Sequence, residues 1–167
     1  MLAPAGAHAA YPGRNGAIAY VGKVGGVTTL LVRKGSSVRG VLDGPVLASP
    51  AWSPGGLRLA VVRSSPEGRD VWIARSGGED PRQLTTGGDN ADPAWAPAGD
   101  ELAYTEGPRG ARHLFVVGAD ATGLRQLTDR AGADDREPDW SVRGQIAFVR
   151  DGDLFTCLLY TSDAADE

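Results

Sequence analysis

Length, composition and charge limit the classes of protein to which this sequence could belong. The chain has 167 residues, of which 41% are hydrophobic, and this suits one domain with a sizeable core. Its net charge of −4 does not provide the positive field that attracts nucleic acid, and its single cysteine excludes an internal disulfide framework and a zinc site of paired cysteines. No apolar run approaches the roughly 18 residues needed to cross a bilayer.

The first nine residues have the composition of the end of a signal peptide. They are small and apolar, and Ala7, His8 and Ala9 match the A-x-A pattern that precedes cleavage, here before Ala10. We therefore predict that residues 1–9 are a signal-peptide remnant and that the protein is exported, to the periplasm or the extracellular space. The alternative is a disordered alanine-rich terminus, because the basic and apolar regions of a signal peptide are not seen.

An internal repeat organises the rest of the chain. The segment PAWSPGGLRLAVV, followed by DVWIARSGGEDPRQLT, matches PAWAPAGDELAYT, followed by HLFVVGADATGLRQLT. Trp52 and Trp95 stand 43 residues apart, and the triplet QLT at 83–85 recurs at 126–128 with the same spacing. A third copy starts at Pro138 and decays after Phe155, and a partial copy starts at Ile18. A constant period of this kind indicates a repeat architecture.

Each repeat predicts a four-stranded antiparallel meander. Short β-rich runs alternate with turns of Gly, Pro or Asp, and no stretch has sustained helical spacing. In the best-defined repeat we predict strands around 51–52 and at 57–63, 70–74 and 82–85. Four strands in 40–45 residues is the size of one β-propeller blade. The predicted fold class is therefore all-β, a partial β-propeller of about three and a half blades whose ring is incomplete.

The large aromatic residues fall on two columns of the repeat. Trp52, Trp95 and Trp140 form one column, and Trp72, Phe115 and Phe155 form the other. A large ring at a fixed register lets adjacent blades bury their faces against each other. We therefore predict that both columns are structural core and not a platform for a ligand.

These motifs resemble those of a known repeat family. The succession PAWSPGG, LRLAVV, DVWIA and PRQLT is similar to the TolB-like, WD-like propeller repeat, whose blades carry P-x-W-S-P-D-G and end in a Leu-Thr pair. The resemblance spans Ile18 to Phe155 and implies a propeller over residues 10–155. Gly55, Ala96 and the pair Val142 and Arg143 depart from the family pattern in the hairpins. The resemblance is specific for the fold and weak for function, because the same repeat occurs in scaffolds and beside protease domains.

The last residues do not continue the repeat. After Phe155 we expect a continued strand, a Gly-rich turn and a Leu-Thr strand, but residues 156–167 provide none of these. They are typical of a translated sequencing adapter, and we predict that they are a non-native tail. On that interpretation Cys157 has no redox or catalytic meaning.

The sequence contains no motif that carries catalysis or binds a cofactor. It has no nucleophile elbow, phosphate-binding loop, HExxH motif or dinucleotide fingerprint, so we predict no catalytic residue, no cofactor and no enzymatic activity for this segment. His113 occupies the strand-start position that Asp70 and Asp153 occupy in other repeats. A solvated structural position is the simpler interpretation of His113.

Polar residues are concentrated in the loops that join one predicted blade to the next. In a propeller such loops open onto one rim of the central channel, so they form the candidate partner-binding rim. The acidic rim could receive a basic peptide, or it could hold Ca²⁺, which we disfavour because no EF-hand or RTX-type spacing appears. The third alternative is that these residues are turn formers and solvated surface. The candidate residues are Asp89, Asn90, Asp92, Asp134, Asp135 and Glu137.

Two functional hypotheses follow from the sequence. The first is an exported, non-enzymatic propeller scaffold for protein or peptide binding, for which the resemblance to TolB implies a cell-envelope setting. The alternative is the propeller domain of a truncated prolyl-oligopeptidase-like serine peptidase, whose hydrolase domain is encoded downstream. The partner, the total number of blades and the oligomeric state are left open.

Overall fold

The protein is built from antiparallel β-sheets in the residues that the computed structural model describes, 16–45 and 47–159. The predicted signal-peptide remnant therefore lies outside the described residues. None of the described segments is a helix that could span a membrane.

The strands form four consecutive sheets, in each of which neighbours in sequence are neighbours in space. Blade 1 comprises β1 (Ile18–Val24), β2 (Val27–Lys34) and β3 (Ser37–Asp43). Blade 2 comprises β4 (Leu47–Trp52), β5 (Arg58–Ser65), β6 (Gly68–Arg75) and β7 (Arg82–Gln83). Blade 3 comprises β8 (Asn90–Trp95), β9 (Glu101–Glu106), β10 (His113–Gly118) and β11 (Arg125–Gln126). Blade 4 comprises β12 (Asp135–Trp140), β13 (Gln145–Arg150) and β14 (Asp153–Leu158).

Local sequence explains why the chain reverses so often. Val24 and Val27 pair across a turn made only of Gly25 and Gly26, whose φ angles are +57° and +86°. Two successive positive φ angles are what a tight hairpin of right-twisted strands requires, and glycine adopts them without a steric penalty. The strands then follow one another as a meander, as the sequence predicts.

The four sheets stack side by side and bury apolar clusters between them. The first strand of each complete blade lies against the first strand of the next, β4 against β8 and β8 against β12. Leu30, Val32 and Val61 are buried between blades 1 and 2. Similar clusters separate blades 2 and 3 and blades 3 and 4. The predicted fold class is confirmed: the described residues form an open part of a β-propeller.

The tryptophans of the first column occupy equivalent positions. Trp52, Trp95 and Trp140 each end the first strand of a blade, where they pair in register with a leucine or isoleucine of the second strand. Trp95 and Trp140 are only 2% and 4% exposed, whereas Trp52 is half-buried. The Trp95 Nε1 donates a hydrogen bond of 3.1 Å to the carbonyl of Ala51 in the preceding blade. The column therefore links neighbouring blades.

The second aromatic column is less buried than the first. Trp72 and Phe115 are half-buried, and Phe155 is 37% exposed. Arginine side chains cover part of this column, because the guanidinium of Arg63 lies 4.5 Å from the Trp72 ring and that of Arg150 lies 5.3 Å from Phe155. A guanidinium over an aromatic face combines apolar coverage with a cation–π attraction.

Several strand ends differ from the predicted bounds, most of all at the first strand of blade 2, which begins at Leu47 and not near Ala51. The fourth strand of blade 2 stops at Gln83 because Leu84 and Thr85 both donate to the carbonyl of Val71, which interrupts the regular ladder. At the other end of the chain, β14 continues to Leu158, and Cys157 pairs with Ile146 and packs against the apolar cluster of blades 3 and 4. The first three residues of the predicted tail thus have a regular place in the sheet. Their non-native origin stays a prediction.

Candidate functional site

A buried polar network fixes the loop between blades 2 and 3. The Thr85 hydroxyl accepts a hydrogen bond from the backbone N–H of Val71 at 2.9 Å and donates to Asp70 at 3.3 Å. Asn90 donates from Nδ2 to the same Asp70 oxygen at 2.9 Å, and Gln83 donates to the other oxygen at 3.0 Å. The Asp70 carboxylate therefore ties the end of one blade to the first strand of the next.

A similar network links blades 3 and 4, but there a carboxylate stands at the position of Asn90 and an arginine is its charged partner. Thr128 accepts from the N–H of Leu114 at 2.8 Å and donates to Asp135 at 2.5 Å. Arg150 donates two hydrogen bonds to the two oxygens of Asp135, at 2.6 and 2.9 Å. Burial by itself raises the pKa of Asp135, but the hydrogen bonds from Arg150 and Thr128 outweigh it, so the pKa is lowered. The Leu-Thr signature of the repeat is thus explained by its threonine.

We expect Asn90→Asp to lower the free energy of unfolding by about 3 kcal/mol at pH 7, because it buries a second carboxylate against Asp70 without a counter-charge. The pKa of the carboxylate pair would be raised in the folded state. A group whose pKa is raised in the folded state contributes stability below its unfolded pKa, and this contribution is lost as pH rises. The variant should therefore recover stability towards pH 4. Urea unfolding of the variant and the parent chain at pH 4 and pH 7 measures the loss of stability. An equal loss at both pH values would contradict it.

Two exposed or half-buried loop acids are held by arginine or by backbone. Arg69 donates to Asp89, and this hydrogen bond keeps the pKa of Asp89 below its ordinary value. Asp134 accepts from the backbone N–H groups of Gly110 and Arg112 at 3.1 and 3.3 Å, and its other oxygen lies 3.3 Å from Arg136 Nε. Both acids therefore order the loops and have little uncompensated charge.

A bulge places three other side chains at one equivalent position of β4, β8 and β12, the first strands of their blades, which pack against each other and which we call the inner strands. The pairing of β4, β8 and β12 with their neighbours shifts register at the same point in each blade. Ser49, Asp92 and Glu137 lie at this shift, each directly before a proline, with φ of 47°, 52° and 54°. Non-glycine residues seldom adopt such φ values, and bulges commonly re-aim a side chain. We name these three residues the bulge column.

The bulge column carries negative charge along the inner strands. The Ser49 hydroxyl donates to Asp92 at 3.4 Å, which connects blades 2 and 3. Glu137 is exposed and Asp92 is half-buried. Among the described residues, neither acid forms an ion pair.

The structure thus sorts the six candidate rim residues by environment. Asn90 and Asp135 are 0% exposed and belong to the buried networks, so they offer no side-chain surface to a partner. Asp89 and Asp134 lie in the loops, and Asp92 and Glu137 lie in the bulge column. Sequence reasoning did not single out Ser49, although it stands 43 residues before Asp92 in the repeat. Among residues 16–45 and 47–159, no group of three or more His, Cys, Asp or Glu side chains is arranged to hold a metal ion.

A cleft of about 380 Å³ opens beside the second aromatic column in blade 2. The Trp72 ring with Arg63 above it lines the cleft, together with the side chains of Asp70 and Gln83 and with Pro45 from the preceding loop. Most of the lining is polar, and the apolar side chains in it are Trp72 and Pro45.

Comparison with known proteins supports the fold. No family model matches the chain, and no curated protein matches it significantly. A putative TolB from Agrobacterium tumefaciens has a TM-score of 0.71 and 22% identity over 89% of this chain and 52% of its own. A prolyl endopeptidase has a TM-score of 0.69 and 16% identity over 91% of this chain and 28% of its own. A chain of the nidogen/laminin complex has a TM-score of 0.58 and 19% identity over 75% of this chain and 49% of its own.

The three matched structures share an architecture with this chain. The three proteins differ in what their names describe, while their matched segments are all β-propeller blades. The chain spans about half the length of the TolB structure that it matches. The described residues therefore have the fold of β-propeller blades, which the putative TolB structure shares.

Proposed function

We propose that the protein is an exported, non-enzymatic propeller scaffold that binds a basic protein or peptide at the bulge column and the adjoining loops. The observation that carries the proposal is the presentation of Asp92 and Glu137 on the inner strands without an ion-pair partner among the described residues. Acidic side chains on a rigid frame attract a partner of opposite charge and orient it. The remaining rim acids support this surface by ordering the loops.

The buried networks support the proposal because they make the surface rigid. Asp70 and Asp135 fasten each loop to the next inner strand, so the acids above them lose little freedom when a partner binds. Two likenesses agree with a binding role, since one matched structure is a TolB and another is taken from a protein–protein complex. Export is proposed from the composition of residues 1–9 and from the likeness to TolB.

Selection of peptides from a displayed library against the immobilised chain tests the charge preference. We expect enrichment of lysine and arginine, and affinity for a selected peptide should fall about tenfold when Asp92→Asn and Glu137→Gln are combined, since each exposed charge contributes up to about 1 kcal/mol. The matched control is Glu79→Gln with Asp80→Asn, because both side chains are exposed on the turn at the opposite end of blade 2. Peptides without a basic preference, or equal losses in both double variants, would contradict the proposal.

The alternative function is that of a propeller domain in a serine peptidase. It is favoured by the match to a prolyl endopeptidase, which covers 91% of this chain but only 28% of the endopeptidase. Reading the uninterrupted gene distinguishes the two functions. A downstream α/β-hydrolase segment with a nucleophilic serine would support the peptidase, whereas further repeats followed by a stop codon would support the scaffold.

A further inference from the structure

One buried arginine forms no ion pair with another described residue. Arg112 lies directly before β10 and is 8% exposed, and its Nε atom has no hydrogen-bond partner. Within residues 16–45 and 47–159 its guanidinium forms no ion pair and lies over no aromatic ring. An arginine stays protonated at all ordinary pH values, and a buried unpaired charge is strongly unfavourable. The Arg112 Nε therefore lacks a direct acceptor in the described part of the chain.

The repeat shows which anion suits this position. Arg69 is the equivalent residue of blade 2, 43 residues earlier, and it forms an ion pair with Asp89. The main chains of Arg69 and Asp89 also form an isolated bridge. The geometry of the blade thus places a carboxylate against the guanidinium when the loop supplies one. A carboxylate is also the planar acceptor that matches the arginine fork.

Blade 3 uses its own carboxylate for another purpose. Asp134 directly precedes β12 of blade 4, as Asp89 directly precedes β8 of blade 3, but it accepts from the N–H groups of Gly110 and Arg112 and lies against Arg136. Pro108 stands where blade 2 has Ser65, a residue that pairs with Gly68 in the hairpin. Because proline cannot donate to a ladder, β9 ends at Glu106 and the following loop opens. Asp134 then satisfies the freed backbone, and Arg112 is left without a partner.

Other charged groups near Arg112 are already engaged. Asp89 feels the positive charge of Arg112, which contributes to its lowered pKa, but its hydrogen bond goes to Arg69. His113, the next residue, has a buried Nδ1 that also lacks a hydrogen-bond partner. The loop that precedes both residues, 108–111, is exposed. Arg112 therefore follows directly on a solvent-facing loop, and its Nε has no hydrogen-bond partner among the described residues.

We propose that Arg112 is the anchor of a carboxylate-binding site beside the loop 107–111, with the bound carboxylate in the place that Asp89 occupies against Arg69. This site is independent of the bulge column, because it takes an anion whereas Asp92 and Glu137 take a cation.

Nitrogen-15 NMR of the arginine Nε–Hε groups in the full chain tests this proposal, with sodium acetate as the probe and sodium chloride at equal ionic strength as the reference. We expect a saturable shift of the Arg112 signal with acetate only. In Arg112→Gln this signal should be absent, and acetate should no longer raise the melting temperature of the protein. Arg109→Gln, an exposed arginine of the same loop, is the matched control and should keep both responses. No saturable shift in the parent chain, or the same shift with chloride, overturns the proposal, and this result does not require a folded variant.

A second arm distinguishes a peptide carboxylate from a small organic acid. Trialanine with a free C-terminus is compared with its amide. If the free acid binds at least tenfold more tightly than acetate and the amide does not bind, the site takes a peptide C-terminus. Equal affinity for trialanine and acetate assigns the site to a small acid. Binding of the amide as tight as that of the free acid contradicts a carboxylate site.

Discussion

Trp95→Ala is expected to lower the free energy of unfolding by about 3–5 kcal/mol, the range for a large aromatic residue removed from a core. Trp95 is 2% exposed in the cluster between blades 2 and 3, and Arg58 lies 4.7 Å above its ring. The variant also leaves the carbonyl of Ala51 without the indole N–H. Since single domains have only about 5–15 kcal/mol of stability, this change should bring the protein close to unfolding at ambient temperature.

Urea unfolding followed by circular dichroism measures the Trp95 effect. Leu124→Ala is the control, because Leu124 is 61% exposed and its truncation should change stability by no more than about 0.5 kcal/mol. Trp72→Ala should cost less than Trp95→Ala, since Trp72 is only half-buried. If the two tryptophan variants lost equal stability, the assignment of the first column as the link between blades would be wrong.

The second large effect is expected at Asp135, where Asp135→Asn should cost about 3–5 kcal/mol at pH 7. Asn90 occupies the same position in blade 3, so an amide fits the backbone there. The loss arises from charge, because Arg150 would keep its positive charge in the interior without the carboxylate that now accepts two of its hydrogen bonds. The amide would also leave one acceptor oxygen for the three hydrogen bonds that Thr128 and Arg150 now donate to two.

The same residue should dominate the acid sensitivity of the protein. The pKa of Asp135 is lowered in the folded state, so its contribution is present above the unfolded pKa, near 3.9, and is lost as pH falls through the folded value. Stability measured from pH 6 down to pH 2 should therefore fall more steeply in the parent chain than in Asp135→Asn. Asp120→Asn is the control, because the lowered pKa of this exposed residue reflects hydrogen bonds from Thr122. A parent and an Asp135→Asn variant with parallel pH profiles would exclude the ion pair as the cause.

These experiments connect the fold to the proposed binding surface. The networks of Asp70 and Asp135 hold the loops that flank the bulge column, so Asp135→Asn should weaken peptide binding by loosening the surface. Substitution of Asp92 and Glu137 should instead weaken peptide binding without a large change in stability, because neither side chain is buried. Stability and affinity thus separate the supporting residues from the contacting ones.

The sequence by itself determined the architecture. Alternation along each strand, turn residues at fixed intervals and tryptophans at a constant spacing are local or periodic signals, and they predicted the strands of blade 2 and the open propeller. Their success has a physical reason: each blade is a meander of neighbouring segments, so the residues that form it are close in sequence. The ends of strands were less exact, since the pairing of Leu84 and Thr85 with a single carbonyl depends on the path of the next loop.

Only the tertiary structure decided which polar residues are accessible. Asp89 and Asn90 are adjacent in one loop, but the first is half-buried beside Arg69 and the second is fully buried against Asp70. Arg69 and Arg112 occupy the same position of the repeat, but only Arg69 has a carboxylate partner. These differences depend on contacts between residues about 15–25 positions apart and on a proline that opens one hairpin. Composition and period are the same in both cases, so the three-dimensional path of the loops had to supply the distinction.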